Sequence, residues 1–347
     1  MMKALKPTRL TLALTAALTV TPFLSTMAQA APTVLKFHSG YAESRPEAGY
    51  LNEFAKDVEQ LSGGDLKVDV FHAASLGLSE PDVLRILQRG SVDMALLYGE
   101  YYTRDAPELA AVYAQGAITE PEQHLQILPT IRDTYEQGYA KWNIKTIGGI
   151  VSPVFSVGLH CKEPINSLDG LKDKKVRVWS AQLVDAFGKL DISAQVIPQN
   201  DMYMALQTGV VDCAYYLSTV AETVSLHEVT DYEAYLHPWA AVPALFGISE
   251  RSWKKLSEKQ QQVLQQAGEK LWQKTRSAAV DPDRGAIARA RRESLGVTML
   301  DDFSAQDVAS FQQAAMSAWH TIAERAGPDG ETIYDTVTGK LSALANK

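Results

Sequence analysis

One arginine near the middle of the chain lies where a charged side chain is costly. Arg177 stands between Val176 and Val178 in a short apolar run that follows a charged loop, a pattern typical of a strand entering a sheet. A buried guanidinium is unfavourable unless a carboxylate meets its planar array of donors. That carboxylate can belong to a ligand, or to the protein itself through Asp185 or Asp212. Spacing alone leaves both interpretations open.

The sequence lacks the familiar constellations of catalytic, phosphate-binding and metal-binding residues. It contains no G-x-S-x-G, H-E-x-x-H, G-x-x-x-x-G-K-[ST], G-x-G-x-x-G or C-x-x-C motif. The seven histidines are scattered, with no pair at the helical spacing of metal ligands. His38 and His160 can approach the predicted site from two strands, although a locally satisfied histidine is the simpler interpretation. We therefore predict no enzyme, cofactor or metal, and a binding module is the leading hypothesis.

A nine-residue pattern, L-Q-x-G-x-V-D-x-A, occurs twice, at residues 87–95 and 206–214. Each copy is typical of a helix end, a glycine at the left-handed stop position and a short hydrophobic strand. That is half of a β-α-β unit, and ligands of open parallel sheets bind outside the carboxyl ends of the strands. Two such units predict two lobes whose strand ends point at a shared cleft.

Three ordered segments carry a resemblance to a known family. They are residues 76–95, which end in L-x-x-G-x-V-D-M-A, residues 165–178, with I-N-S-L-x-G-L-K and V-R-V, and residues 203–212, Y-x-A-L-Q-T-G-V-V-D. With them the chain resembles the DctP-type solute-binding proteins of TRAP transporters over nearly all its length after residue 30. The resemblance implies a two-lobed α/β periplasmic binding protein fold, type II-like, with hinge strands and a long kinked helix that spans both lobes.

The resemblance also implies a function and some site residues. It implies an extracytoplasmic receptor that captures an organic acid and delivers it to a small and a large membrane permease subunit, energised by an ion gradient. Arg177 occupies the position of the V-R-V arginine that pairs with the ligand carboxylate in the family. Tyr98 and Tyr101 occupy positions in the first-lobe half of the site. Each tyrosine also has a structural interpretation, in which its ring only packs on its own lobe.

Other positions depart from the members that bind sialic acid or C4-dicarboxylates. Tyr216 stands where an asparagine touches the ligand, Trp179 replaces a proline, and Val157 lies near the place of a second arginine. We therefore expect neither of those ligands. The candidate ligand-binding residues are Arg177, Trp179, Ser180, Tyr216, Tyr41, Tyr98, Tyr101 and Trp239. One arginine among aromatic walls favours a monocarboxylate with a ring or another apolar body.

The first 30 residues have the pattern of a cleaved signal peptide. Three basic residues precede an apolar run over residues 10–24, and Ala28-Gln29-Ala30 offers a small-x-small cleavage site. The run is short and contains Pro22, so it does not predict a retained membrane anchor. Cleavage leaves 30 basic residues (33 minus 3) against 41 acidic ones, a net charge of −11. We expect a periplasmic monomer that binds no nucleic acid.

The rest of the chain is too long for one ordinary domain. Hydrophobic periodicity predicts β-α-β-α-β over residues 34–97, helices over residues 121–148, and lobe crossings within residues 147–159 and 237–248. It predicts a helix and loop over residues 217–235, a helix after Ser257 broken near Pro282, and a short last helix from Gly330. We assign residues 31–154 and 242–281 to the first lobe, and residues 155–241 and 282–347 to the second.

Two questions stay open at this level. Cys161 and Cys213 fit either a disulfide or two buried thiols, since the protein is expected in an oxidising compartment. The function also has two alternatives on the same kind of scaffold. One is a binding protein of an ATP-driven importer or a sensor kinase, which neighbouring genes distinguish. The other is a periplasmic enzyme whose site is assembled from distant residues.

Overall fold

Eleven strands in two sheets organise the part of the chain that the structure, a computed structural model, describes: residues 31–118, 120–153, 155–239, 243–281 and 283–345. The strands are β1 (Thr33–His38), β2 (Leu66–Phe71), β3 (Met94–Leu97), β4 (Ile144–Val151), β5 (Phe155–Cys161), β6 (Lys175–Val178), β7 (Ser193–Val196), β8 (Cys213–Leu217), β9 (Tyr232–Trp239), β10 (Pro243–Ser249) and β11 (Thr298–Met299). The first sheet has the order β2-β1-β3-β10-β4 and the second β11-β9-β5-β8-β6-β7. We call the parts built on them the first and second lobes.

Helices cover both sheets. They are α1 (Pro46–Ser62), α2 (Val83–Arg89), α3 (Pro107–Ala110), α4 (Pro121–Ala140), α5 (Ala181–Gly188), α6 (Gln199–Gln207), α7 (Glu250–Trp253), α8 (Glu258–Ser277), α9 (Arg284–Ser294), α10 (Ala305–Arg325) and α11 (Gly327–Ala345). α8 packs on β4 and α1, α10 packs on α5, and α11 packs on α10 and α4. The last helices therefore contact elements of both lobes. None of the described helices is long and apolar enough to cross a membrane.

The opening β-α-β-α-β prediction is confirmed. β1 pairs in parallel with β2 on one side and β3 on the other. α1 has Pro46 in its first turn and stops at Gly63, whose φ of 68° is left-handed. Phe37, Phe54 and Phe246 meet edge to face between the sheet and α1, with centroids 4.9–6.1 Å apart. These rings pack α1 against the first sheet and fix the sheet relative to that helix.

Both copies of the repeated pattern end a helix and begin a strand, as predicted. α2 stops before Gly90 and α6 shortly before Gly209, and the two glycines have φ of 68° and 76°. The aspartate of each copy accepts a hydrogen bond from a backbone amide of the neighbouring strand. Asp93 accepts a hydrogen bond from the Lys36 amide at 2.9 Å, and Asp212 accepts one from the Lys175 amide at 2.8 Å. In both lobes the pattern therefore ties its strand to the neighbouring parallel strand.

The helical prediction over residues 121–148 is confirmed as far as residue 140 and wrong in its last eight residues. α4 ends at Ala140, a turn with a left-handed Asn143 follows, and β4 runs from Ile144 to Val151. The backbones of β4 and α8 approach each other closely, and this contact leaves no room for a side chain. A Cβ on Gly268 of α8 would lie 1.6 Å from the Ile147 carbonyl oxygen. The apolar run thus serves as a strand beneath α8, a tertiary contact that helical periodicity does not reveal.

Two further element boundaries differ from the prediction. Residues 218–224 and 226–228 form short 3₁₀ turns, and β9 already begins at Tyr232 inside the predicted helix and loop. The last helix begins at Gly327 and has 19 residues instead of being short. β9 and β10 belong to different sheets, so the chain changes sheets between them. It also changes sheets between β4 and β5.

The predicted helix start at Ser257 is confirmed. Ser257 accepts from the Gln260 amide, and the Gln260 side chain accepts from the Ser257 amide, so α8 begins with a capping box. α8 ends at Ser277 and α9 starts at Arg284. Pro282, where we placed the break, lies outside the described residues, as do residues 1–30.

The cysteine question is answered by a disulfide. Cys161 and Cys213 face each other in register on the antiparallel pair β5 and β8, with their Cα atoms 4.2 Å apart. The bond closes a loop that contains β6, α5, β7 and α6. All second-lobe candidate residues except Tyr216 and Trp239 lie inside that loop.

Candidate functional site

Arg177 is buried without a carboxylate partner in the described part of the chain. It lies on β6 with only 1% of its surface exposed. Its Nε donates to the Ile197 carbonyl at 2.8 Å, and its Nη1 has no partner among the described residues. Asp185 instead accepts from Arg325 at 3.0 Å, and Asp212 accepts from the backbone. Neither of the aspartates suggested by the sequence therefore neutralises this guanidinium.

Burial shifts the pKa of the Arg177 guanidinium. It lowers the pKa of Arg177 to about 10, and the nearby Arg45 guanidinium acts in the same direction, whereas the Tyr216 and Tyr101 hydroxyls oppose it. The side chain stays charged at neutral pH, and an unmatched buried charge costs several kcal/mol. Such an arrangement favours an anion from outside the chain.

Arg292 provides an internal comparison because it is equally buried, at 1% exposed. Its Nε donates to the Glu233 carboxylate at 2.9 Å, and its Nη2 lies 3.2 Å from His160 Nδ1. The fold can thus supply a buried arginine with an acid where the role is structural. His160 belongs to this structural cluster, and His38 contacts Glu80 at 3.0 Å. These contacts agree with the simpler interpretation, in which His38 and His160 are satisfied by neighbouring side chains and do not bind the ligand.

Aromatic rings surround the Arg177 guanidinium. Its Cζ lies 5.6 Å from the ring centroid of Tyr216 and 5.9 Å from that of Trp179, within cation–π range. Arg177 is in register with Ala214, so Tyr216 projects from the same face of the sheet. Trp179 lies just past the end of β6 and stacks on Tyr215 with centroids 4.9 Å apart. Its indole therefore has one face committed to the second-lobe core.

The first lobe contributes a row of tyrosines. The rings of Tyr41 and Tyr98 meet edge to face at 5.9 Å, and those of Tyr98 and Tyr101 at 5.7 Å. All three rings are half-buried. Burial raises the pKa of Tyr101 well above its usual value, and the Arg177 charge partly opposes this shift. The row thus faces the second-lobe guanidinium, and the Tyr98 hydroxyl is buried without a partner in the described chain.

The sequence analysis missed a second buried arginine, Arg45. It forms a two-pronged ion pair with Glu47, through Nε at 3.0 Å and Nη2 at 2.5 Å. Its Nη1 reaches across to the second lobe, to Gln199 Oε1 at 2.7 Å and Tyr216 Oη at 3.0 Å. Its Cζ lies 4.6 Å from the Tyr41 ring centroid. The only sequence signal was an R-P-E triplet at a helix start, which has no periodicity that marks a cleft.

Several hydrogen bonds hold the two lobes together around these groups. Besides the Arg45 contacts, Ser44 Oγ donates to the Thr223 carbonyl at 2.7 Å, and Asn200 Nδ2 donates to the Ala73 carbonyl at 3.2 Å. Trp179 Nε1 donates to Glu100 Oε2 at 3.3 Å. The structure therefore presents the lobes in contact across the cleft.

Most of the predicted site residues converge at this cleft. Arg177, Trp179 and Tyr216 meet Tyr41, Tyr98 and Tyr101 there, and Ser180 is buried at the start of α5 beside Trp179. β9 ends at Trp239, whose side chain lies outside the described part of the structure. Within the described ranges no group of three or more His, Cys, Asp or Glu residues is arranged to hold a metal ion.

Known proteins share this architecture. Residues 37–326 match the family described as bacterial extracellular solute-binding protein, family 7 (DctP). A solute-binding protein of Chromohalobacter salexigens is 24% identical over 76% of this chain and 78% of its own. The ectoine/5-hydroxyectoine-binding periplasmic protein UehA of Ruegeria pomeroyi is 23% identical over 86% of this chain and 87% of its own.

A solved structure confirms the likeness of fold. DctP7, a Bordetella pertussis extracytoplasmic solute receptor with bound pyroglutamic acid, superposes with a TM-score of 0.78 at 17% identity, covering 88% of this chain and 99% of its own. At that identity the match establishes the two-lobed α/β fold. The family match extends over most of the chain and includes both lobes and the cleft. The chain accordingly belongs to the bacterial extracellular solute-binding proteins of family 7.

Proposed function

We propose that this protein is the periplasmic receptor of a TRAP transporter and captures an organic monoanion with an apolar body. The observation that carries the proposal is the buried Arg177 guanidinium, which has no carboxylate partner among the described residues and faces aromatic side chains of both lobes. A ligand carboxylate bonded to Arg177 Nη1 would satisfy both its charge and its free donors. Charge-assisted hydrogen bonds of this kind contribute about 1.5 to 3 kcal/mol each.

The charges of the cleft argue for one carboxylate rather than two. Arg45 is already neutralised by Glu47, so Arg177 supplies the one unmatched positive charge that we assign to the ligand. A dianion would bring a second negative charge beside the Glu47 carboxylate into a site of low dielectric constant. A monoanion balances the site, in keeping with the expectation from Tyr216 and Trp179.

The surfaces around Arg177 argue for an apolar or ring-shaped body. Tyr41, Tyr98, Tyr101 and Tyr216 together with Trp179 offer large aromatic faces and few charges. The free Tyr98 hydroxyl can bond to one polar substituent. Aromatic walls bury much apolar area while their polar ends set orientation. The pyroglutamic acid of the Bordetella relative is a ligand of this general kind, a ring with one carboxyl group.

Capture follows from closure of the lobes. A ligand docks on Arg177 in the second lobe, the first lobe brings Arg45 and the tyrosine row over it, and water leaves the carboxylate contact. We place the hinge crossings near residues 154 and 242, with residues 31–154 and 242–281 as the first lobe and residues 155–241 and 282–347 as the second. The loaded receptor, a monomer without catalytic activity, then delivers its ligand to the small and large permease subunits.

A ligand panel tests this function. Thermal shift and calorimetry are run with pyroglutamate, 2-oxobutanoate and benzoate as monoanions of low polarity, D-glucuronate as a polar monoanion, and malonate as a dianion. We expect at least one of the first three to raise the melting temperature and to bind more tightly than malonate and D-glucuronate. Tightest binding of malonate, or consumption of the bound compound, would overturn the proposal.

A further inference from the structure

A buried acid, Glu100, joins the lobes beside the cleft. It follows β3 in the first lobe and is 9% exposed. Its Oε2 accepts a hydrogen bond of 3.3 Å from Nε1 of Trp179 in the second lobe. Trp179 in turn flanks the Arg177 guanidinium, with 5.9 Å between the Cζ atom and the ring centroid. Trp179 thus lies between Glu100 and the Arg177 guanidinium.

The surroundings of Glu100 are polar but hold no countercharge. None of the described Lys, Arg or His side chains forms an ion pair with it, in contrast to Glu47 and Glu233. Ser180 Oγ and both side-chain polar atoms of Gln115 are buried nearby and lack hydrogen-bond partners of good geometry. A neutral carboxyl can both donate to and accept from such groups, whereas a carboxylate can only accept. Burial without a cation partner among the described residues is the feature of this geometry that disfavours the ionised form.

Burial also favours the neutral form of the Glu100 side chain. It raises the pKa of Glu100 to about 7, although the polar groups of Trp179, Gln115 and Ser180 partly oppose the shift. The tyrosines that face Glu100 from the surrounding elements have raised pKa values and stay neutral; they are Tyr101, Tyr113, Tyr135, Tyr139 and Tyr215. Within physiological pH these rings add no charge next to Glu100.

Other titratable groups border this tyrosine shell. His237 next to Tyr215 and His124 next to Tyr113 have pKa values lowered by burial to about 4 and about 3, so both are neutral near pH 7. Arg177 stays charged and lies near Tyr101. Glu80, which pairs with His38, also acts on Tyr101. Any test of Glu100 must therefore separate it from Glu80.

We propose that Glu100 is a positioning residue for ligand capture: as a neutral carboxyl it holds Trp179 and Ser180 of the second lobe against the first, so that closure takes up a proton. This inference rests on the closure and the carboxylate ligand proposed above. When the lobes separate, Glu100 loses these contacts and meets water. Ligand affinity then depends on a group that does not touch the ligand.

The direction in which ligand affinity changes with pH follows from the Glu100 pKa in the open and closed forms. In the open form the Glu100 pKa returns towards its ordinary value of 4.5, and in the closed form it is about 7. The closed form binds more protons between these values, so closure and ligand binding weaken as pH rises from about 5 to 8. With these values the affinity changes about tenfold between pH 6 and pH 8. The ligand carboxylate itself stays ionised over that range, since carboxyl groups titrate near pH 4.

Calorimetry at pH 6, 7 and 8 in buffers of different ionisation enthalpy measures both affinity and proton uptake. The probe is the tightest binder among pyroglutamate, 2-oxobutanoate and benzoate. We expect the wild-type Kd to rise about tenfold from pH 6 to pH 8 with proton uptake on binding. Glu100→Gln should bind with a flat pH profile near the wild-type Kd at pH 6, because the amide also donates and accepts. Glu80→Gln should keep the wild-type slope.

An infrared titration of the protein labelled with ¹³C-glutamate gives an independent measurement, made on the ligand-free protein and on the protein saturated with the same probe. The protonated carboxyl band that disappears in Glu100→Gln should titrate near pH 7 in the ligand-saturated protein and at lower pH, towards 4.5, in the ligand-free protein, and titration near pH 4.5 in the saturated protein would overturn the proposal. A pH slope that survives in Glu100→Gln, or binding without any slope in the wild type, would also overturn it while leaving the carboxylate function intact. Failure of every panel member to bind at all three pH values contradicts the proposed function, and the inference about Glu100, which rests on that function, falls with it.

Discussion

Nη1 of Arg45 in the first lobe donates a hydrogen bond of 3.0 Å to the hydroxyl of Tyr216 in the second. The Tyr216 ring also lies 5.6 Å from the Arg177 guanidinium. The same hydroxyl donates to Gln199 Oε1 at 2.7 Å. One tyrosine thus connects the arginine that we assign to the ligand with the arginine that bridges the lobes.

Tyr216→Phe keeps the ring and removes this connection. We expect the monoanion Kd to rise about tenfold, because a hydrogen bond to a charged donor is lost from the closed form only. The increase should come mainly from faster dissociation, measured by stopped-flow fluorescence. Tyr203→Phe is the matched control, since its hydroxyl donates to Glu228 away from the cleft. Equal effects of the two substitutions would contradict this role of Tyr216.

Arg177→Ala separates a ligand-binding charge from a structural one. Carboxylate affinity should fall at least a hundredfold, while the free energy of unfolding without ligand stays unchanged or rises, because an unmatched buried charge has been removed. Arg292→Ala is the matched comparison, and it should lower that free energy by about 3 to 5 kcal/mol by leaving Glu233 unpaired.

Urea unfolding and calorimetry measure the two quantities. Arg325→Ala, a change at an arginine that is 66% exposed, should alter neither of them much. A large loss of unliganded stability in Arg177→Ala would instead assign Arg177 to the structural framework.

The disulfide between Cys161 and Cys213 should contribute strongly to stability. It links residues 52 positions apart, and the chain-entropy relation gives about 4 kcal/mol for such a loop. The double variant Cys161→Ala/Cys213→Ala should unfold at correspondingly lower urea concentration, and unreacted native protein should show no free thiol in a thiol titration. Two titratable thiols in the purified native protein would contradict the bond.

Acid should destabilise the protein partly through His124. This ring is fully buried without hydrogen-bond partners in the described chain, and burial lowers its pKa to about 3 from an ordinary 6.5. The unfolded chain binds a proton there between those values and the folded chain does not, so stability falls as pH drops from about 6.5 towards 3. His124→Phe should reduce the slope by about 1.4 kcal/mol per pH unit near pH 5. An unchanged slope in urea unfolding at pH 4 to 6 would contradict this account.

Local signals predicted much of the fold because they act over a few residues. The glycine stop at Gly90 and the cap at Ser257 marked helix ends that the structure confirms. The strand β4 was missed because its apolar residues follow those of α4 after a turn of only three residues. What makes it a strand is pairing with β10, nearly a hundred residues later in the chain. Periodicity in one segment contains no information on such a partner.

The cleft shows the same division between local and distant information. The sequence singled out Arg177 because a charge inside an apolar strand is locally unusual, and the family resemblance drew attention to Tyr98 and Tyr101. Arg45 and Glu100 carried no such signal, because each derives its role from a contact with the other lobe. Those contacts join residues 171 and 79 positions apart.

The amino-acid sequence by itself determined the family, the two-lobed plan and the unusual position of Arg177 in an apolar strand, since these depend on short motifs and hydrophobic spacing. Only the tertiary structure decided that Asp185 and Asp212 leave Arg177 unmatched, that Cys161 bonds to Cys213, and that Glu100 meets Trp179. The physical reason is that charge balance and hydrogen bonding in a cleft depend on distances between segments that are far apart in the chain. Only the folded chain sets those distances.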